Sequence, residues 1–293
     1  MYELNRTHAR RAFKDLLGQA NHFLITVLVG LDGVRSGKVD ISSEFRTSWN
    51  PQNVKRSAER SRVFVLDLAL IRAIDALDTF MMMSARKPSA IADKEFRAAL
   101  DGTGRSVARR LDVFDENLPP LKQQHKAALL VAIQWRNQRV HSLSDDKLEK
   151  STFRILRDHA DWFASGYSGL TIGDFISNFK AGEAPTFKEA ASVIRLTHEA
   201  VAHYDEHLLE DLPVERYLKV LLGELLSQGN ADPSRAIKKT WGHPSKKETK
   251  VIRLLRMIGV NETPEVCGRE VPKEFVERLV SLECDEVLQF IDA

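Results

Sequence analysis

The chain has 293 residues, 43% hydrophobic and 29% charged, a composition that fits a folded protein of one large domain or two ordinary ones. Its 43 Lys and Arg against 41 Asp and Glu leave a formal net charge of +2, so any nucleic-acid surface has to be a local patch and not a property of the whole chain. The most apolar stretches, Phe23 to Leu31 and Val63 to Ile71, fall well short of the roughly 20 residues a membrane-spanning helix needs, and no membrane partner is expected.

From Arg6 to about Leu31 the apolar positions Ala9, Phe13, Leu16, Leu17, Ala20, Leu24 and Val27 recur at three- and four-residue spacing, which predicts an amphipathic first helix. The segment from Asp32 to Asn53 is rich in Gly, Ser, Asp and Asn and contains Asn50-Pro51, so it reads as a long connection. A second long helix is predicted from Lys55 to Met83, charged at its start and largely apolar from Val63 through Leu66, Leu70, Ile74, Leu77 and Phe80. So broad an apolar stripe implies a central, mostly buried helix.

After a polar, Gly-containing stretch around Asp101 to Arg105 and the Pro119-Pro120 pair, a third helix begins near Leu121 and runs through Ala128, Leu129, Val131, Ala132 and Trp135. A fourth helical segment covers Lys147 to about Ala164, and Gly166 and Gly169 break it. The connection from Phe179 to Pro185 is read as the domain boundary, because Thr186 with Glu189 three residues on has the spacing of a capping box. Shorter helices follow, opened by Pro213, Pro233, Pro244 and Pro272 near their first turns. No alternating strand pattern and no internal repeat is evident. The expected fold is all-α: a four-helix N-terminal bundle over residues 1–180 and a smaller helical domain over 186–293.

The strongest chemical signal is Trp135-Arg136-Asn137-Gln138-Arg139-Val140-His141-Ser142, at the C-terminal end of the third helix. His141 is a group that moves protons near neutral pH and Arg136 is a fixed cation suited to a phosphate, the two types that acid–base chemistry on a phosphodiester needs. Asn137 and His141 are four apart and share a helix face, so the amide can orient the imidazole or contact the same ligand. Arg136 and His141 are five apart, about 140° around a regular helix. They border one cleft only if the site is broad, the helix end is irregular, or a second subunit completes it.

Acidic groups in the second helix, Asp67, Asp75 and Asp78, are costly to bury without partners. Of the three, Asp75 is the candidate to meet the motif arginine, although an intrahelical contact to Arg72 or Thr79 is the commoner arrangement for such a residue.

This octapeptide resembles the motif of the HEPN family (higher eukaryotes and prokaryotes nucleotide-binding), whose members carry Arg-x(4–6)-His near the end of a helix in a helical bundle. The residue-level match is Arg136, Asn137 and His141, and the likeness in helix order covers about the first half of the chain. The resemblance implies an endoribonuclease that needs neither metal nor cofactor. In it the ribose 2′-hydroxyl attacks the adjacent phosphorus, with His141 as general base or acid, Arg136 on the phosphate, Asn137 as orienting group, and Arg139 and Asp75 in support. It also implies a homodimer, a role as a toxin or antiviral effector, and an antitoxin or regulatory protein as partner. A non-catalytic HEPN-like module that binds nucleotides, RNA or another protein is the rival reading.

A second Arg-x(4)-His match, Arg154 to His159, lacks the following Asn and reads as a solvated helix face. His203 and His207 have the spacing that can place two imidazoles on one metal, but no third ligand is identifiable and a polar helix face is the commoner reading. Lys246, Lys247 and Lys250 belong to a basic stretch around Trp241 that suits either a nucleic-acid contact, as in a nucleic-acid-binding regulator, or an ordinary cationic helix face. The two cysteines, Cys267 and Cys284, have neither zinc-knuckle spacing nor the number of a disulfide framework, and the first residues do not form a secretory signal, so a cytoplasmic location is expected.

Overall fold

The computed structural model describes residues 1–39, 42, 44, 51–140, 148–227, 232–262 and 268–292, and they form an all-α protein with one small sheet. The predicted first helix is two, α1 (His8–Leu17) and α2 (Ala20–Arg35). Gly18 sits at the break, where a Cβ would lie 2.6 Å from the Lys14 carbonyl oxygen, so only glycine fits the turn. The second helix is α3 (Val54–Ala85), opened by Asn53, whose side-chain oxygen accepts the Arg56 N–H at 2.9 Å.

The stretch before Pro119 holds two helices beyond those predicted, α4 (Lys94–Asp101) and α5 (Val107–Asn117). Asp93 caps the first, accepting from the Glu95 and Phe96 N–H groups, and Ser106 caps the second through the Arg109 N–H. Their apolar positions do carry helical spacing, Phe96 and Leu100 in one and Val107, Leu111 and Phe114 in the other, but set among Gly and charged residues, and these side chains are buried. The third predicted helix is α6 (Gln123–Val140). The fourth divides at His159 into α7 (Lys150–Asp158) and α8 (Ala160–Gly166), and α9 (Ile172–Ala181) follows. The capping box is formed: Glu189 Oε2 accepts the Thr186 N–H at 2.6 Å and the Glu189 N–H reaches Thr186 Oγ1 at 3.3 Å, opening α10 (Phe187–Glu210). The remaining helices are α11 (Val214–Ser227), α12 (Pro233–Trp241), α13 (Lys247–Met257), α14 (Lys273–Ser281) and α15 (Glu286–Asp292).

The chain divides into two compact units, one of residues 1–12, 79–120 and 202–293, the other of 13–78 and 121–201. The division falls within α1, α3 and α10, while the 179–185 connection lies inside the second unit. A capping box reports only where a helix begins. What assigns α10 to both units is burial along its length, Val193, Ile194 and Leu196 in one and Tyr204, Leu208 and Leu209 in the other.

In the first unit β1 (Tyr2–Leu4) lies between β2 (Val260–Asn261) and β3 (Arg269–Val271), antiparallel to both, with Leu4 opposite Val260 and Arg269. Strands of two or three residues are too short to alternate visibly, which is why the sequence shows none. Asp205 of α10, fully buried, accepts the backbone N–H and hydroxyl of Thr7 at the start of α1 and lies 3.5 Å from Arg10 Nη1. Trp241 is buried and its indole N–H donates to the Leu279 carbonyl at 3.0 Å.

The second unit is organised around α6, whose residues from Gln124 to Trp135 are almost continuously buried. Trp135 makes edge-on contacts with Phe175 and Phe179 of α9 and donates its indole N–H to the Glu183 carbonyl at 2.8 Å. Buried His125 bonds the Leu196 carbonyl of α10 at 2.8 Å. A carbonyl only accepts, so His125 Nε2 carries the proton. Together these contacts hold the end of α6 firmly in place.

Candidate functional site

The last turn of α6 carries Arg136, Asn137 and Arg139, all partly exposed, after a run of buried side chains. Each arginine meets a carboxylate of α3. Arg136 Nη2 donates to Asp75 Oδ1, and its Nη1 donates to the Asn137 side-chain oxygen at 3.1 Å. Arg139 forks onto Asp67, Nε to Oδ1 at 2.8 Å and Nη2 to Oδ2 at 2.6 Å, and its Nη1 donates to the Gly182 carbonyl at 2.7 Å. The pairs Asp67–Arg139 and Asp75–Arg136 run in opposite chain directions, as adjacent antiparallel helices require.

The two arginines are therefore not equivalent. Arg139 has all three nitrogens engaged, and the Asp67 hydrogen bond, against some desolvation, raises its pKa, so it is a fixed clamp between α6, α3 and the turn after α9. Gly182 makes that turn at φ 66°, a left-handed conformation that places its carbonyl in reach. Arg136 makes fewer hydrogen bonds to described residues: Asp75 is 45% exposed, and Arg136 Nε is buried without a partner among the described residues. Two of its five N–H groups are engaged by described residues, and with Nε buried the donors left for a ligand are one N–H on each of Nη1 and Nη2.

Asp75 thus meets Arg136, and Arg72, one of the two intrahelical partners expected for Asp75, donates its Nε to the Leu16 carbonyl at 3.2 Å. Sequence reasoning gave Asp67 no specific partner, although it lies eight residues, two helical turns, before Asp75. That repeat, set against arginines three apart on α6, was the available signal. His141 lies outside the described residues, as does Cys267. Arg139 also lines a cleft of about 360 Å³ with Arg62, Leu66, Glu183, Pro185 and Phe187, beside the motif.

The other sequence candidates have local partners. His159 ends α7, with Nδ1 2.9 Å from the Ile155 carbonyl. His203 Nε2 is 2.7 Å from the Pro119 carbonyl, and His207 Nδ1, 3.3 Å from a Glu210 carboxylate oxygen, makes no hydrogen bond to a described residue. Among the described residues, no three His, Cys, Asp or Glu side chains gather as metal ligands. Lys247 donates to the Leu282 carbonyl and Glu283, both at 3.0 Å, and Lys250 to the Lys239 carbonyl at 2.5 Å, so these two staple helix ends, whereas Lys246 is exposed. No helix of the described residues is long and apolar enough to cross a membrane.

Comparison with protein-family models, with curated proteins and with solved structures finds no match.

Proposed function

We propose that this chain is a metal-independent endoribonuclease of the HEPN type, acting as a toxin or defence effector. The observation that carries the reading is the state of Arg136. Its guanidinium stands at the end of a buried helix, oriented by Asp75 and Asn137 with one N–H on each of Nη1 and Nη2 unengaged by described residues, and five residues before His141. A cation held in this way loses little freedom when it meets a phosphate, so its attraction to the developing negative charge is retained in the transition state. In the proposed reaction the ribose 2′-oxygen bonds to phosphorus as its proton passes to a base. The P–O5′ bond breaks, and the leaving oxygen takes a proton from an acid. His141 serves one of those two proton transfers and Asn137 aligns the guanidinium. Asp75 is a positioning residue acting through Arg136, and the cleft beside Arg139 offers space for a neighbouring nucleotide.

Purified protein incubated with mixed RNA and a chelator tests this. Cleavage leaving 2′,3′-cyclic phosphate ends, lost in His141→Ala, is the expected result. Intact RNA in both samples, or equal cleavage by the variant, rules the reading out.

One observation favours a second reading, a protein-interaction module. Phe23 and Val29 of α2 and Phe64 of α3 are between 62% and 66% exposed, an unusual amount of apolar surface on neighbouring segments of one unit. This reading and the ribonuclease reading are compatible if the partner is an antitoxin or a second copy. Sedimentation across a concentration series shows whether a dimer exists, and mixing Arg136→Ala with His141→Ala subunits shows whether active residues combine across chains.

A further inference from the structure

The first unit contains a cleft of about 480 Å³, within the range of small-molecule sites, and its lining is unusual in charge. Lys87, Lys94, Arg97 and Arg216 all contribute to it, and no Asp or Glu occurs among its described lining residues. Lys87 lies just after α3, Lys94 and Arg97 are on α4, and Arg216 is on the first turn of α11. Four cations from three separate segments therefore converge on one depression, whose remaining walls include Pro88, Ile91 and Val220.

Lys87, Lys94 and Arg216 are exposed, so solvent screens their mutual repulsion, and together with Arg97 they concentrate positive charge at one depression without a carboxylate in its described lining. Lys87, Lys94 and Arg216 have no hydrogen-bond or ion-pair partner among the described residues. Arg97 is fixed differently. Its Nη1 donates to the carbonyls of Ile91 at 2.5 Å and Ala92 at 3.1 Å, so backbone holds the guanidinium in place while no described carboxylate neutralises it. A half-buried cation anchored through one nitrogen keeps its other donors for a ligand. The adjoining cleft, which shares Lys87 and Val220, is lined also by Glu224 and Asp292, so the excess of positive charge is confined to the first.

We infer that this cleft binds a small ligand bearing two or more phosphate charges on a body with an apolar face. A single carboxylate carries too little charge to match four cations, whereas a diphosphate approaches it. The apolar walls suit a ring or chain attached to that group. The inference is independent of the ribonuclease reading, since it uses none of the residues around Arg136.

Titration calorimetry of the full chain with pyrophosphate and with ADP tests it, beside a single-stranded oligoribonucleotide. Saturable binding of ADP, weakened at least about tenfold in Lys94→Gln/Arg216→Gln and unchanged in Lys55→Ala at an exposed lysine outside the cleft, is the expected result. Pyrophosphate binding more weakly than ADP assigns a role to the apolar walls, and equal affinities overturn that part of the inference. The two replaced side chains are exposed, and thermal melting checks that the variant is folded. Should the double variant not fold, Lys94→Gln alone takes its place with the same direction expected. No saturation at millimolar ADP, or unchanged binding in the variant, overturns the inference. So does dependence on these cations for the oligoribonucleotide alone, which makes the cleft part of an RNA track.

Discussion

Arg139 grips Asp67 through two nearly parallel hydrogen bonds, 2.8 and 2.6 Å long, and both side chains are mostly shielded, 27% and 16% exposed. A two-point match of this kind depends on the guanidinium plane, which an ammonium group lacks. Asp67→Ala is expected to lower unfolding stability by roughly 2 kcal/mol, because it leaves a shielded guanidinium without its charged acceptor. Arg139→Lys recovers only part of the wild-type stability. Urea unfolding of the two single variants and the double variant measures the coupling, and strictly additive losses rule the clamp out.

Activity separates Arg136 from the second Arg-x-x-x-x-His match. Under the proposed function Arg136→Ala loses about a hundredfold or more of RNA cleavage with the fold retained, whereas His159→Ala, which breaks only a local bond to Ile155, keeps most of it. Rates on one defined RNA, with circular dichroism of each variant, decide this. Selective inactivity of His159→Ala shows that the wrong match was chosen.

Stability should carry a pH signature from Asp205. Burial pushes its carboxyl from an ordinary 3.8 up to about 6, against the lowering effect of the Thr7 hydrogen bonds and Arg10. Between those values the folded chain binds a proton that the unfolded chain has released. The resulting stabilisation is full below 3.8 and is lost as pH rises through about 6. Asp205→Asn, which cannot titrate, should therefore gain on the wild type by roughly 2 to 3 kcal/mol between pH 4 and pH 7. A stability difference that stays flat over that interval refutes the raised carboxyl.

Truncation tests the division into units. A fragment ending at Phe179 lacks α10, whose Ala190, Val193, Ile194, Leu196 and Ala200 are all buried within the second unit. Its core is then open on one side, and we expect no cooperative thermal or urea transition. A sharp transition for this fragment restores residues 1–180 as an independent domain.

The capping box at Thr186 offers a local check. Glu189 is only 2% exposed and also accepts from Asn178 Nδ2 at 2.9 Å, so it ties α9 to the start of α10. Thr186→Ala should cost about 1 kcal/mol and Glu189→Ala more, since the latter strands Asn178 as well. Equal losses in urea unfolding show that the tie to α9 contributes nothing.

The helical class, the long α3 and α6, the start of α10 and the place of the Arg-Asn pair at a helix end were legible in the order of residues. These are matters of local spacing and capping, which a chain carries in its order of residues. The helices α4 and α5 were legible in the Asp93 and Ser106 caps and in the spacing of Val107, Leu111 and Phe114, although Gly and charged residues around them read as a connection. Strands of two or three residues, by contrast, have no period to read and become regular only against neighbours. The predicted boundary divided a continuous α9–α10 region at a turn, because a turn looks the same whether or not the helices on either side share a core. Only the tertiary structure distinguished Arg139 from Arg136. Their types are alike in sequence, yet one is closed by a two-point carboxylate and a glycine carbonyl while the other has two of its five N–H groups engaged by described residues. Which donors remain unspent depends on what α3 and the turn after α9 bring within 3 Å, and that is a property of packing, distant in the chain by 72 and 43 residues.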